Sequence, residues 1–164
     1  NVSRTQLFAH DFVSTLLERL QAHELDPSDL VLEITESVAL TDYSRQSKHL
    51  RELSEHGFRI AIDDFGTGYS SLSQLHEMPV DILKVDVSFT SRLNTAEGQR
   101  VVQAIVQMAQ ALQLSVVVEG VESQAALDFL MALGVERIQG YFYSRPISAE
   151  DCLPLLQNGI PSLI

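Results

Sequence analysis

Apolar positions along the chain follow two rhythms that alternate. Ser3 stands as a cap before a helical stripe of Leu7, Phe8, Phe12, Val13, Leu16, Leu17 and Leu20, and Asp26-Pro27-Ser28 breaks it. LVLEIT at residues 30 to 35 is then strand-like. A second helix is expected after Thr41, carrying Leu50 and Leu53 to a terminal Gly57, with a strand over residues 58 to 62 behind it. DILKVD at 81 to 86 and SVVVE at 115 to 119 are two more aliphatic runs, separated by a long helical stretch near 96 to 112. Ser123 caps a helix that closes at Gly134, residues 135 to 138 form a last short strand, and Ser148 caps a final helix in SAEDCLPLLQ.

Strands that are apolar on both faces and joined by helices belong to a parallel sheet, because the crossover helices cover both of its sides. Two architectures satisfy this, an open doubly wound sheet and a (β/α)-type barrel. The polar residues separate them. Asn1, Glu33, Asp63 with Asp64, Lys84 with Asp86, Glu119 and Gln139 all fall at or near the carboxyl end of an expected strand. Distant strand ends stay apart in an open sheet but form a ring around one site in a barrel. Six such ends favour an α/β fold of the (β/α)8 TIM-barrel type.

Composition narrows the chemistry. The 164 residues fit one domain over 1–164 with no internal boundary, and a 45% hydrophobic share can supply its core. No apolar run approaches the ~18 residues of a membrane span and no signal peptide opens the sequence, so the expectation is a cytoplasmic protein that does not insert into membranes. A net charge of −11 argues against DNA, RNA or an anionic membrane as partner. The single cysteine, Cys152, reads as a small hydrophobe within the last helix rather than a nucleophile.

Several carboxylates gathered without counter-charge would protonate, so the ring requires a cation. Asp, Glu and Asn oxygens describe a hard-ion site for Mg²⁺ or Mn²⁺. His10, His23, His49, His56 and His76 have no ligand spacing and read as surface or packing residues. Adjacent acids such as Asp63 and Asp64 suit a bridged pair of ions, which at about 3.5–4 Å apart can clamp a phosphodiester and activate water. Plainer readings stand beside these. Asp63-Asp64 before Phe-Gly-Thr-Gly also fits turn chemistry, and Glu33 also fits a structural salt bridge. Lys84 also fits a pairing with Asp86 or a neighbouring strand's acid, and Glu119 an ordinary loop.

Five blocks in order, LEITES at 32 to 37, IDDFGTGYSSLSQL at 62 to 75, LKVDVSF at 83 to 89, VEGVES at 118 to 123 and QGYFYSRP at 139 to 146, resemble the EAL family of bacterial phosphodiesterases that hydrolyse cyclic di-GMP. The opening Asn1-Val2-Ser3 resembles that family's Asn-x-Ser segment. The resemblance implies a (β/α)8 barrel that opens cyclic di-GMP to linear pGpG with Mg²⁺ or Mn²⁺, two ions per site. It implies that Asn1, Glu33 and Asp63 ligate the first metal, and Asp63 with Asp64 the second. It gives Lys84 the hydrolytic water and Glu119 the part of metal-side ligand or general base. Asp86 and Gln139 would line the substrate site. Glu36 would fix the loop of Gly66, Thr67 and Gly68, through which, with the following helix, family members pair into homodimers. Fused sensor or cyclase domains are also implied. The chain departs from the family in carrying no Glu-Ala-Leu triplet and in placing Val87 where Arg is frequent. About six of the eight strand-helix units are accounted for, so the chain is expected to be the carboxyl-terminal portion of an EAL domain. A catalytically inactive cyclic di-GMP receptor is the alternative function.

Overall fold

The computed structural model describes residues 1–40, 43–68 and 72–158. In chain order the helices are α1 (Arg4–Leu7), α2 (Phe12–Ala22), α3 (Glu36–Leu40), α4 (Tyr43–Glu55), α5 (Leu72–Glu77), α6 (Val87–Thr90), α7 (Ala96–Ala111), α8 (Gln124–Ala132) and α9 (Ala149–Asn158). Among them run the strands β1 (Val31–Thr35), β2 (Arg59–Phe65), β3 (Ile82–Val85), β4 (Ser115–Val118) and β5 (Arg137–Ile138). Thr41, expected to precede the second helix, and residues 69 to 71 of the glycine loop lie outside the described residues.

All four strand pairings are parallel, and the strand order is β1-β2-β3-β4-β5. A doubly wound sheet reverses direction at its switch point, so its spatial order differs from its sequence order. Here each strand lies beside the one just before it, which is how a barrel wall is wound. The described residues carry five strands rather than six. The sixth position is represented by Val2, whose backbone N–H donates to the Glu33 carbonyl at 2.7 Å and so sets the chain start against β1.

Side chains alternate across the wall with the strand period of two. Leu32 and Ile34 of β1, Ile60 and Ile62 of β2, and Leu83 of β3 are buried under the helices, where Leu7, Leu20, Leu50 and Leu53 meet them. Further along, Val85 and Val118 pack with Val102, Val106 and Leu130 from α7 and α8. The opposite faces of the same strands carry Glu33, Ala61, Ile82, Lys84 and Val117, which border one open cavity of about 400 Å³. Outward residues therefore stabilise the fold and leave the inward row for chemistry.

The structure modifies several expected elements. The first helical stripe is two helices, because the chain leaves helix after Leu7 and re-enters it behind Asp11, while Leu7 and Phe12 still fall on one apolar side. Ser3 caps α1 in a reciprocal box with Gln6. The hydroxyls of Thr95 and Ser123 cap α7 and α8, and that of Ser148 accepts the Asp151 N–H at 3.1 Å at the head of α9. Cys152 is half-buried on α9 rather than part of the core. His49 packs edge-on against Phe8, whereas His10, His23, His56 and His76 are exposed. Among the described residues no helix is long and apolar enough to cross a membrane.

Candidate functional site

β2 extends further than its apolar residues predict. It runs through Asp63 and Asp64 to Phe65, so the two acids lie inside the strand rather than in a turn after it. The register against β3 pairs Ile62 with Leu83 and then Phe65 with Val85, which inserts one extra residue on β2. This is a β-bulge, and Asp64 takes the left-handed backbone it needs, with φ of 54°. Asp tolerates that region better than most residues. In an unbroken strand Asp63 and Asp64 would point to opposite faces. With the bulge, a carboxylate oxygen from each lies within 4.8 Å of the other and of one from Glu119.

Lys84 lies at the centre of this corner. Its ammonium is 3.0 Å from Glu33 Oε1, 2.9 Å from Asp63 Oδ1 and 2.8 Å from Glu119 Oε1, and its side chain is 7% exposed. Three strands thus deliver acids to one lysine from a fourth. Burial pushes the Lys84 pKa down, yet the contacts with Glu119, Asp63 and Glu33 together outweigh it, and the net direction is up. The three acids thereby favour the ammonium form in the metal-free fold. Desolvation raises the Asp64 carboxyl above its usual range, the charges of Asp63 and Asp86 push it further, and Lys84 partly offsets them.

Asp86 follows β3 and caps α6, its Oδ1 accepting the Ser88 N–H at 2.9 Å. The hydrogen bonds from Ser88 hold its carboxyl below the usual range. Glu119 follows β4. Its N–H donates to Val85 and its carbonyl accepts the Thr90 hydroxyl at 2.7 Å, so a buried side chain of α6 fixes the backbone carrying the acid. Nothing in the sequence singles out Thr90, since a threonine closing an apolar turn has no distinguishing pattern. Gln139 follows β5 and borders both that open cavity and a groove of about 670 Å³, where Glu119, Gly120, Tyr141 and Pro146 also lie. The Arg145 guanidinium stacks on the Tyr141 ring at 4.5 Å. Asn1 stands exposed at the chain start, and Glu33 enters the corner through Lys84 rather than in the carboxylate cluster.

The buried acid Glu36, 2% exposed, opens α3 and accepts the Gly66 N–H at 2.7 Å. It also lies so close to Gly68 that a Cβ there would come within 2.9 Å of Glu36 Oε1. One carboxylate thus ties down the turn that leaves the bulge. Glu36→Ala is expected to lower stability by about 1.5–3 kcal/mol, the usual contribution of a hydrogen bond to a charged group. Urea unfolding checks this, and an unchanged midpoint would contradict it.

The residues present fit divalent hard cations. Glu33, Asp63, Asp64 and Glu119 bring four negative charges against the single positive charge of Lys84. Asp63 Oδ1 is buried and accepts no hydrogen bond, its approach to Lys84 being a charge contact without hydrogen-bond angles. The donors are all oxygens, with no histidine or cysteine in the cluster.

The model of the EAL domain matches residues 1–146. The chain belongs to the EAL domain family. This EAL chain is 43% identical over 155 residues to the bifunctional diguanylate cyclase/cyclic di-GMP phosphodiesterase MucR of Pseudomonas aeruginosa, a match covering 93% of the chain and 22% of MucR. Its fold superposes on the EAL domain of Mycobacterium smegmatis DcpA with a TM-score of 0.91 at 39% identity, covering 98% of this chain and 72% of that one. A manganese/cyclic di-GMP complex of Klebsiella pneumoniae BlrP1 superposes with a TM-score of 0.79 at 34% identity, covering 86% of this chain and 36% of that one. The chain spans about a quarter or less of the length of the first curated relatives it matches, 24% in a Mycobacterium tuberculosis protein and 19% in YkoW of Bacillus subtilis.

Proposed function

We propose that this EAL domain hydrolyses cyclic di-GMP to linear pGpG with Mg²⁺ or Mn²⁺. The observation that carries the reading is the meeting of Asp63, Asp64 and Glu119 around a charged, buried Lys84 beside an open groove. Relatives named for the same substrate, MucR among them, support the choice of ligand.

Asn1, Glu33 and Asp63 would hold one ion, and Asp63 with Asp64 the second. When bound, such ions clamp a phosphodiester and lower the pKa of an attacking water. The chain's own groups then divide the work. Lys84, whose ammonium faces the site, would orient the water and stabilise the charge that develops on phosphate. Glu119, 2.8 Å from the Lys84 ammonium, would act as the base. The water oxygen joins phosphorus, one P–O3′ bond breaks, and the proton taken from water is balanced by one gained at the departing 3′ oxygen. Gln139 and Asp86 would line the groove in which the nucleotide lies.

The test incubates the intact protein with Mn²⁺ and cyclic di-GMP and follows linear product by chromatography. Wild type is expected to release pGpG, and Glu119→Gln to lose about 10²–10⁴-fold in kcat, the usual span for a general base. Tight nucleotide binding without turnover in wild type would overturn the enzyme reading in favour of a receptor.

A further inference from the structure

The corner of the barrel raises a question that hydrolysis alone does not answer. Glu33, Asp63 and Glu119 come from separate stretches of chain, and in the metal-free fold they would repel one another. They are nevertheless drawn to within 3.0, 2.9 and 2.8 Å of one nitrogen, Lys84 Nζ. A flexible surface lysine could leave when a cation arrives. Lys84 has little freedom to do so, since it projects from a β3 whose four residues are all buried and lies beside Val117 of β4.

We propose that Lys84 is the resident counter-ion of this site: its ammonium holds the carboxylates assembled before any metal binds, and a divalent cation gains its oxygens at the expense of that ammonium. The inference rests on the metal reading given above and adds to it. Lys84 then weakens metal affinity while securing the metal-free fold, two effects opposite in sign that no purely water-orienting role predicts.

Two mechanisms give those signs. An ion placed among oxygens already paired with an ammonium meets a like charge a few ångströms away in a poorly screened setting, so its affinity falls. Without the ammonium, the same three carboxylates lose the cation they share and the empty site becomes self-repelling. A neutral side chain of similar length and shape exchanges the first state for the second. Methionine meets that description.

The experiment compares wild type, Lys84→Met and Lys84→Arg in the intact protein, measuring Mn²⁺ affinity by calorimetry and thermal midpoint in EDTA and in Mn²⁺. Lys84→Met is expected to bind Mn²⁺ at least tenfold more tightly than wild type. Its midpoint should fall in EDTA and recover on adding Mn²⁺, by a larger increment than wild type shows, because a tighter ligand stabilises the native state more. Lys84→Arg, which keeps the charge, should stay within about threefold of wild-type affinity. If Lys84→Met does not fold in EDTA, refolding it in Mn²⁺ and titrating with chelator yields the same affinity. Manganese bound by Lys84→Met no more tightly than by wild type would overturn the proposal while leaving the phosphodiesterase reading intact. Failure of wild type to bind Mn²⁺ at all would instead overturn both, beginning with the metal site itself.

Discussion

Asp63→Asn is expected to lower cyclic di-GMP hydrolysis by roughly 10⁴-fold, about 5.4 kcal/mol at 1.36 kcal/mol per tenfold. The substitution preserves shape and removes one negative charge, so it isolates electrostatics from packing. Asp63, like Glu119, belongs to both constellations, the carboxylate cluster that includes Asp64 and the ion pairs of Lys84. Its Oδ1 is buried and already faces the Lys84 ammonium at 2.9 Å, a setting that suits a cation. The same variant should bind Mn²⁺ more weakly than wild type. Single-turnover assays at saturating Mn²⁺ check the rate, and activity within tenfold of wild type would remove Asp63 from the centre of the site.

The largest stability effect is expected at Gly140. A side chain built there would run into the backbone of Val121, at its nitrogen, carbonyl carbon and oxygen. The two segments are stitched together, with the Val121 N–H donating to Gln139 and the Phe142 N–H donating back to Val121. Backbone cannot rotate aside as a long side chain can, so Gly140→Ala must part the chain after β5 from the chain after β4. The expected cost is about 3 kcal/mol, at the upper end of ordinary overpacking. For a chain of this size that corresponds to a fall of roughly 6–12 °C in thermal midpoint. Scanning calorimetry measures it, and a drop under 2 °C would show that the crossing is looser than the structure depicts. Because Gln139 and Glu119 flank this crossing, substrate affinity should fall together with stability.

The strands and their parallel pairing were legible in the sequence because their physics is local. Runs such as SVVV and ILKV are aliphatic on both faces, and only a sheet covered by helices needs that pattern. Glu33 and Lys84 stood out for the same reason, as charges where burial was expected. What the pattern did not carry was the bulge. Ile62, Asp63, Asp64 and Phe65 read as a strand followed by a turn, and only pairing with β3 shows that one residue is extra and that Asp64 occupies left-handed backbone. Lys84 illustrates the same limit. Its sequence neighbour Asp86 was one open candidate for its partner, yet Asp86 turns away to cap α6 and the lysine pairs with acids from other strands. The short helices α3 and α6 were hidden because too few residues form them to show a period.

The strictly consecutive strand order has a consequence for synthesis on the ribosome. A wall in which each strand docks on the one just made can grow in the order in which residues emerge. Glu33 and Asp63 appear first, Lys84 follows with the third strand, and Glu119 comes after the fourth. The nascent chain therefore receives its neutralising amine before its last acid arrives, so the full set of carboxylates is never gathered without it.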